Sequence, residues 1–215
     1  MDRHDALGVV EELSAPPPPV LAPVAERRRV VALAGHMGDP DTARAGLDDP
    51  APAVRGTALG ALHRLGALRH DELRASFRDP EPAVRRRAAE VAAHYPMISL
   101  IDLLDDADPT VVEVAAWSSG EHEVVDDDVL ERLIALASSH EDALVREASV
   151  AALGAIGDER GLPAILGGCV DKPAIRRRAV LALAPFEGPE VDAALDAALA
   201  DRDWQVRQAA EDLTR

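Results

Sequence analysis

The chain has 215 residues, a formal net charge of −16, 47 % hydrophobic but only 2 % aromatic residues, and one cysteine. That balance excludes an internal disulfide framework and works against a nucleic-acid ligand, whose phosphates demand cationic neutralisation. No run of about 18 apolar residues is present, so no membrane-spanning helix is expected.

Met1 to Asp5 leads into no apolar run, so no secretory signal is expected, and the lone Cys169 fits a reducing, cytoplasmic setting. Residues 3–13 carry Leu7, Val10 and Leu13 on a rough helical stripe. Ser14-Ala15-Pro16-Pro17-Pro18-Pro19 then forces an extended linker. We therefore expect a short helix and linker over 1–19 and one folded domain over 20–215. Val24 to Ala34 reads as a capping helix with Val24, Val31 and Leu33 inward and Arg27-Arg28-Arg29 solvated, stopped by Gly35.

From there the chain repeats itself. The clearest copy is Asp79-Pro80-Glu81-Pro82-Ala83-Val84-Arg85-Arg86-Arg87-Ala88. Copies centre on Val54, Val84, Val111, Val145, Ile175 and Val206, at steps of 30, 27, 34, 30 and 31 residues. A period of roughly 20–50 residues signals a solenoid. Counting each central Val or Ile as zero, an acid stands at −5 in Asp49, Asp79, Asp106 and Asp201, and proline at −2 in Pro52, Pro82, Pro109 and Pro173. The acid suits a turn and the proline a first helical turn, where its missing N–H costs nothing. Offsets 0, +4, +7 and +8 are mainly apolar and share one helical face. A second apolar segment precedes each such helix, for example Val129 to Leu136 and Met97 to Leu104, the latter helix starting at Pro96. The units are expected at about 39–66, 70–94, 96–121, 126–156, 158–186 and 188–214. Glu121 to Asp128 lengthens the third step; its aspartates sit where a helix start favours negative charge, without the glycine spacing of a calcium loop. Pro163 is expected in the first turn of a short helix, and the last unit turns polar, as a solenoid end requires.

The D-x-x-P-x-V-R-x-x-A pattern resembles the HEAT-repeat superfamily, in particular the short bacterial HEAT-like repeats of the phycobilin-lyase type. The resemblance covers about 39–215 and implies an all-α, right-handed α-solenoid of about six helix-turn-helix repeats with an N-terminal capping helix. It implies a non-enzymatic scaffold or adaptor for another protein, with no cofactor. The alternative is a phycobilin-lyase-like or chaperone-like helper for a tetrapyrrole-bearing protein.

The arginine at +1 falls inside the apolar arc, where a guanidinium needs partners. Arg55, Arg85, Arg146, Arg176 and Arg207 are thus expected to bond turn carboxylates or carbonyls as a structural ladder with Asp49, Asp79, Asp106 and Asp201. Val112 interrupts the ladder in the third copy, and His140 replaces the acid in the fourth. If the second helices line the concave face, as the resemblance implies, its exposed offsets present Arg86, Glu90, His94, Glu113, Trp117, Glu121, Glu147 and Arg177, with Trp117 as the anchor for a protein partner. Cys169 reads as a buried small residue. The HEAT-like deoxyhypusine hydroxylases hold two irons on four in-frame His-Glu pairs; here His122-Glu123 and His140-Glu141 fall in links, and the other histidines lack ligand spacing, so no metal site is expected. No phosphate loop or G-x-S-x-G nucleophile motif occurs.

Overall fold

The computed structural model describes residues 21–214; the helix expected over 3–13 and the proline linker lie outside the described residues. Those residues form thirteen α-helices and two short 3-10 turns, with no strand among them. The odd-numbered helices are α1 (Val24–Met37), α3 (Pro52–Arg64), α5 (Pro82–Ala92), α7 (Pro109–Gly120), α9 (Ala143–Ile156), α11 (Pro173–Ala182) and α13 (Trp204–Leu213). Between them run α2 (Pro40–Ala45), α4 (His70–Ser76), α6 (Ile101–Leu104), α8 (Asp127–Ser139), α10 (Leu162–Gly168) and α12 (Pro189–Leu199). Each odd helix packs on the next odd helix, and each even helix packs on the odd helix that follows it. This is a two-layer α-solenoid.

The repeated offsets explain the layers. Pro52, Pro82, Pro109 and Pro173 each open an odd helix in its first turn. The residues at zero, Val54, Val84, Val111, Val145, Ile175 and Val206, are all buried between the layers. Each contributes about 1.5–3 kcal/mol relative to an exposed side chain. At +4 stand Ala58, Ala88, Ala115, Ser149, Ala179 and Ala210, equally buried. At three of the crossings between neighbouring odd helices, +9 of one lies against +7 of the next closely enough to need a glycine. A Cβ on Gly35 would lie 2.8 Å from the Ala61 Cβ, one on Gly120 2.9 Å from the Ala152 Cα, and one on Gly154 2.5 Å from the Ala182 Cβ. One continuous core runs from Val31 to Val191, with a smaller cluster around Val206 at the C-terminal end.

Two elements differ from expectation. Helix α1 passes through Gly35, which packs on α3, and ends three residues later at Gly38, whose φ of 79° suits glycine. Val31, Ala34 and Gly35 are its buried residues, whereas Val24 and Leu33 are each 45 % exposed. The helix expected from Pro96 is only the single turn α6. Ile98 and Leu100 are both buried, and two residues in a helix point about 200° apart. Burying both therefore needs the non-helical turn observed over 96–100. The later elements follow the repeat boundaries closely, with Pro163 in the first turn of α10.

Candidate functional site

The turns between the layers carry a ladder of ion pairs. Arg55 places Nε and Nη2 on the two carboxylate oxygens of Asp79, both at 2.7 Å. Arg85 does the same to Asp106 at 2.6 and 2.8 Å, Arg146 to Asp171 at 2.8 and 3.0 Å, and Arg176 to Asp201 at 2.8 and 2.9 Å. Each Nη1 donates to a carbonyl of its own turn: Asp49, Asp79, His140 and Asp171 respectively. Arg207, in the last repeat, donates to the Asp201 carbonyl at 2.7 Å. The aspartates also accept backbone N–H groups two residues on, at Ala51, Glu81, Asp108 and Asp203. One carboxylate thus shapes its own turn and fastens it to the preceding repeat. The arginine bonds hold the carboxyls of Asp49, Asp106, Asp171 and Asp201 below the usual carboxylate range, against the opposing effect of burial.

Three features of the ladder escaped the sequence pattern. Arg27 is not solvated; it forks onto Asp49 with both bonds at 2.8 Å and donates to the Ala22 carbonyl. Helix α1 is therefore the first rung rather than a plain cap. Asp171 is a ladder acid although it stands at −4, where Lys172 and Pro173 shorten the turn. The two irregular copies are one absence. An arginine pairs with the acid of the following repeat, so Val112 leaves the turn of α9 with no guanidinium to receive. His140 stands there instead, and its Nδ1 accepts the Asp142 N–H at 3.1 Å. Val112 is buried as an ordinary core residue.

On the side of the odd helices away from the core, a cleft of about 490 Å³ spans α5, α7, α9 and α11. Arg86, Glu90, Glu113, Trp117 and Glu147 line it. Trp117 is 46 % exposed. Arg178, not Arg177, closes the far side, with its Nε 3.8 Å from the Glu147 carboxylate. Val114, Leu144, Ala148 and Ala151 add apolar wall. The physical rule is a register: offsets +2 and +6 of one odd helix face offset +3 of the next. Sequence reading found +2 and +6 and missed +3, because +3 borders the buried arc and looks half-internal from a single helix. Glu121 and His94 are exposed but lie outside the cleft. The His94 ring stacks on His63 at 4.7 Å, and His63 Nδ1 lies 3.3 Å from the Tyr95 hydroxyl.

Other reactive groups have structural places. Burial pushes the Cys169 thiol up to about 11, so it stays protonated at neutral pH. His122 is buried with Nε2 3.0 Å from the Ala92 carbonyl. Among the described residues, no group of three or more His, Cys, Asp or Glu side chains is placed to hold a metal ion. No described helix is long and apolar enough to cross a membrane.

Stacked helical hairpins joined by such turns define an α-solenoid of helical repeats. The family model for HEAT repeats matches residues 98–174 of the chain. YibA of Escherichia coli is similar in fold at 19 % identity, over 91 % of this chain and 72 % of that one, with a TM-score of 0.60. Human deoxyhypusine hydroxylase in complex with glycerol aligns at 19 % identity, 87 % and 77 % coverage and TM-score 0.45. A designed armadillo repeat protein in complex with the peptide (KR)4 aligns at 15 % identity, 88 % and 89 % coverage and TM-score 0.48. No curated protein sequence matches the chain.

Proposed function

We propose that the protein is a non-enzymatic scaffold or adaptor that binds a segment of another protein in the cleft spanning α5 to α11. The observation that carries this reading is Trp117, half-exposed in a cleft to which four successive odd-numbered helices contribute. A large aromatic held on a rigid helix is an efficient anchor, and a preformed repeat surface loses little entropy on binding. Glu113 and Arg86 form no ion pair among the described residues, and Glu90 and Glu147 face arginines. The fitting ligand is therefore a mixed-charge segment with an apolar side chain seated against Trp117, Val114 and Leu144. In this reading residues 20–215 act as one binding domain, residues 1–19 as its tether, and the setting is cytoplasmic.

Affinity capture from the native cell tests it with three baits. The wild type and a Glu131→Ala variant, altered on exposed α8, are expected to retain the same partner. A Trp117→Ala, Glu113→Arg variant is expected to lose it. Retention of every partner by the cleft variant removes the assignment.

A further inference from the structure

A second cleft, of about 430 Å³, opens on the same face between α1, α3 and α5. Arg28, His36, Arg64 and Arg87 line it, Gly56 and Gly60 form its floor, and its described lining contains no carboxylate. In a chain of net charge −16 this is a local reversal of sign. It obeys the register of the first cleft. Arg28 stands at +2 from an α1 frame in which Arg27 is +1, Gly56 and Gly60 are +2 and +6, and Arg87 is the +3 residue of the next helix.

The glycines are the informative part. Gly56 and Gly60 lie four residues apart in the middle of α3, where each is less favourable to the helix than alanine. A Cβ on Gly60 would fall 2.5 Å from Arg87 Nη2, and one on Gly56 would lie 3.9 Å from the Arg87 Cβ and Cγ. The bare strip lets the whole Arg87 side chain lie flat, so its guanidinium joins the floor of the cleft instead of standing above it. Arg87 Nη1 donates to Glu90 at 2.6 Å, and Glu90 belongs to the neighbouring cleft. That pair is the divide between a basic compartment and a mixed one. Arg28 Nε donates to Thr57 Oγ1 at 3.2 Å, and the Thr57 hydroxyl donates to the Ala53 carbonyl at 2.8 Å. The Arg28 fork is thereby aimed across the cleft with its terminal nitrogens free. Arg64 and His36 make no hydrogen bond or ion pair among the described residues.

We propose that this cleft is a binding site for an acidic peptide segment, whose aspartate or glutamate carboxylates are gripped by Arg28, Arg64 and Arg87. Planar guanidinium groups take carboxylates bidentately. Screening over about 8 Å at physiological ionic strength makes the local arginines count for more than the distant negative surface. A nucleic acid is the poorer occupant. The cleft has no Phe, Tyr or Trp on which a base could stack, and a long phosphate backbone would run from three arginines onto repelling ground. The site is independent of the Trp117 cleft and stands or falls separately.

Fluorescence anisotropy with N-terminally labelled hexaglutamate tests the proposal on the full chain. Saturable binding is expected at about 0.1 M salt and is expected to weaken as salt rises. Arg28→Ala with Arg64→Ala is expected to weaken it by about tenfold or more, the loss of charged hydrogen bonds. These two side chains stand outside the ladder, and circular dichroism checks that the fold is retained. Gly60→Ala keeps every charge but displaces Arg87, and is expected to weaken binding as well. Trp117→Ala is expected to leave hexaglutamate binding unchanged, whatever it does to capture of a protein partner. The proposal is overturned by absence of saturable binding, by binding that ignores the double variant, or by tighter binding of a labelled single-stranded oligonucleotide or of hexalysine at this cleft.

Discussion

Replacing Asp106 by asparagine isolates what one rung of the ladder contributes. The Asp106 and Arg85 side chains are 6 % and 16 % exposed, so water screens the pair little. Asparagine keeps the size and can still accept the Asp108 N–H that shapes the turn. It loses the charge and one of the two acceptors for Arg85, whose bonds are 2.6 and 2.8 Å. A charge-assisted hydrogen bond contributes about 1.5–3 kcal/mol, and stranding one partner of a fully buried pair costs about 3–5 kcal/mol. Arg85 keeps the Asp79 and Pro80 carbonyls at 2.8 and 3.3 Å and some access to solvent. The expected loss is therefore about 2–3 kcal/mol, toward the lower of those ranges. Urea unfolding of the wild type, Asp106→Asn, Arg85→Ala and the double variant measures it, with a coupling energy of about 1.5–3 kcal/mol expected. Because the Asp106 carboxyl is held below its ordinary value, this contribution is present above the unfolded-state value and is lost as pH falls through the lower folded one. A coupling below about 0.5 kcal/mol at neutral pH, the scale of an exposed pair, would refute the view that the rungs hold repeat to repeat.

The missing rung can be rebuilt. Val112→Arg alone is expected to destabilise, since it strips a buried valine and strands a guanidinium; adding His140→Asp is expected to recover at least about 1 kcal/mol beyond additivity in the same urea assay. Gly154→Ala drives a methyl into the Ala182 backbone, its Cβ falling 2.6 Å from the Ala182 Cα. It is expected to cost about 1–3 kcal/mol, visible as a lowered Tm, despite alanine's better helix propensity. The Ser149 hydroxyl is buried at a position where the other repeats carry alanine, and it has no hydrogen-bond partner among the described residues. Ser149→Ala is expected to raise stability by about 1 kcal/mol. Burial first, then the charges of His94, Arg87 and Arg64, hold the His63 imidazole below its ordinary value. Its neutral form is favoured in the fold, so stability is expected to be full above the unfolded-state value and to fall as pH drops through it; urea midpoints of His63→Gln are expected to depend less on pH in that window.

How far the sequence could be read follows from what each residue had to satisfy alone. Val54 or Arg85 recur because each repeat solves the same two problems, filling a gap between layers and fastening a turn. Those solutions stand at fixed offsets and are visible as a period. Asp171 was hidden because the turn before Pro173 is one residue shorter, and a search at −5 lands on Val170. Arg27 was hidden because Glu26, not Val or Ile, precedes it, so α1 falls outside the recurring Val-Arg unit. Val112 and His140 looked like two lapses because the pairing joins consecutive repeats, not residues of one. The cleft was half legible for the same reason. Trp117 and Glu113 project from one helix and obey its period, whereas Arg178 reaches the cleft from α11, and only packing decides which helix does so. Gly35 reads as a helix stop in isolation and is instead the close approach of two helices.

The reading of the Trp117 cleft as a protein-binding surface is tested most directly by photo-crosslinking. A benzophenone amino acid placed at Ala151, on the wall of the cleft, is expected to give a discrete protein adduct on irradiation in the native cell, and Trp117→Ala in the same chain is expected to abolish it. The same group at exposed Glu131 on α8 is expected to give none. Equal adducts from both positions, or an adduct at 151 that survives loss of the tryptophan, would contradict the account.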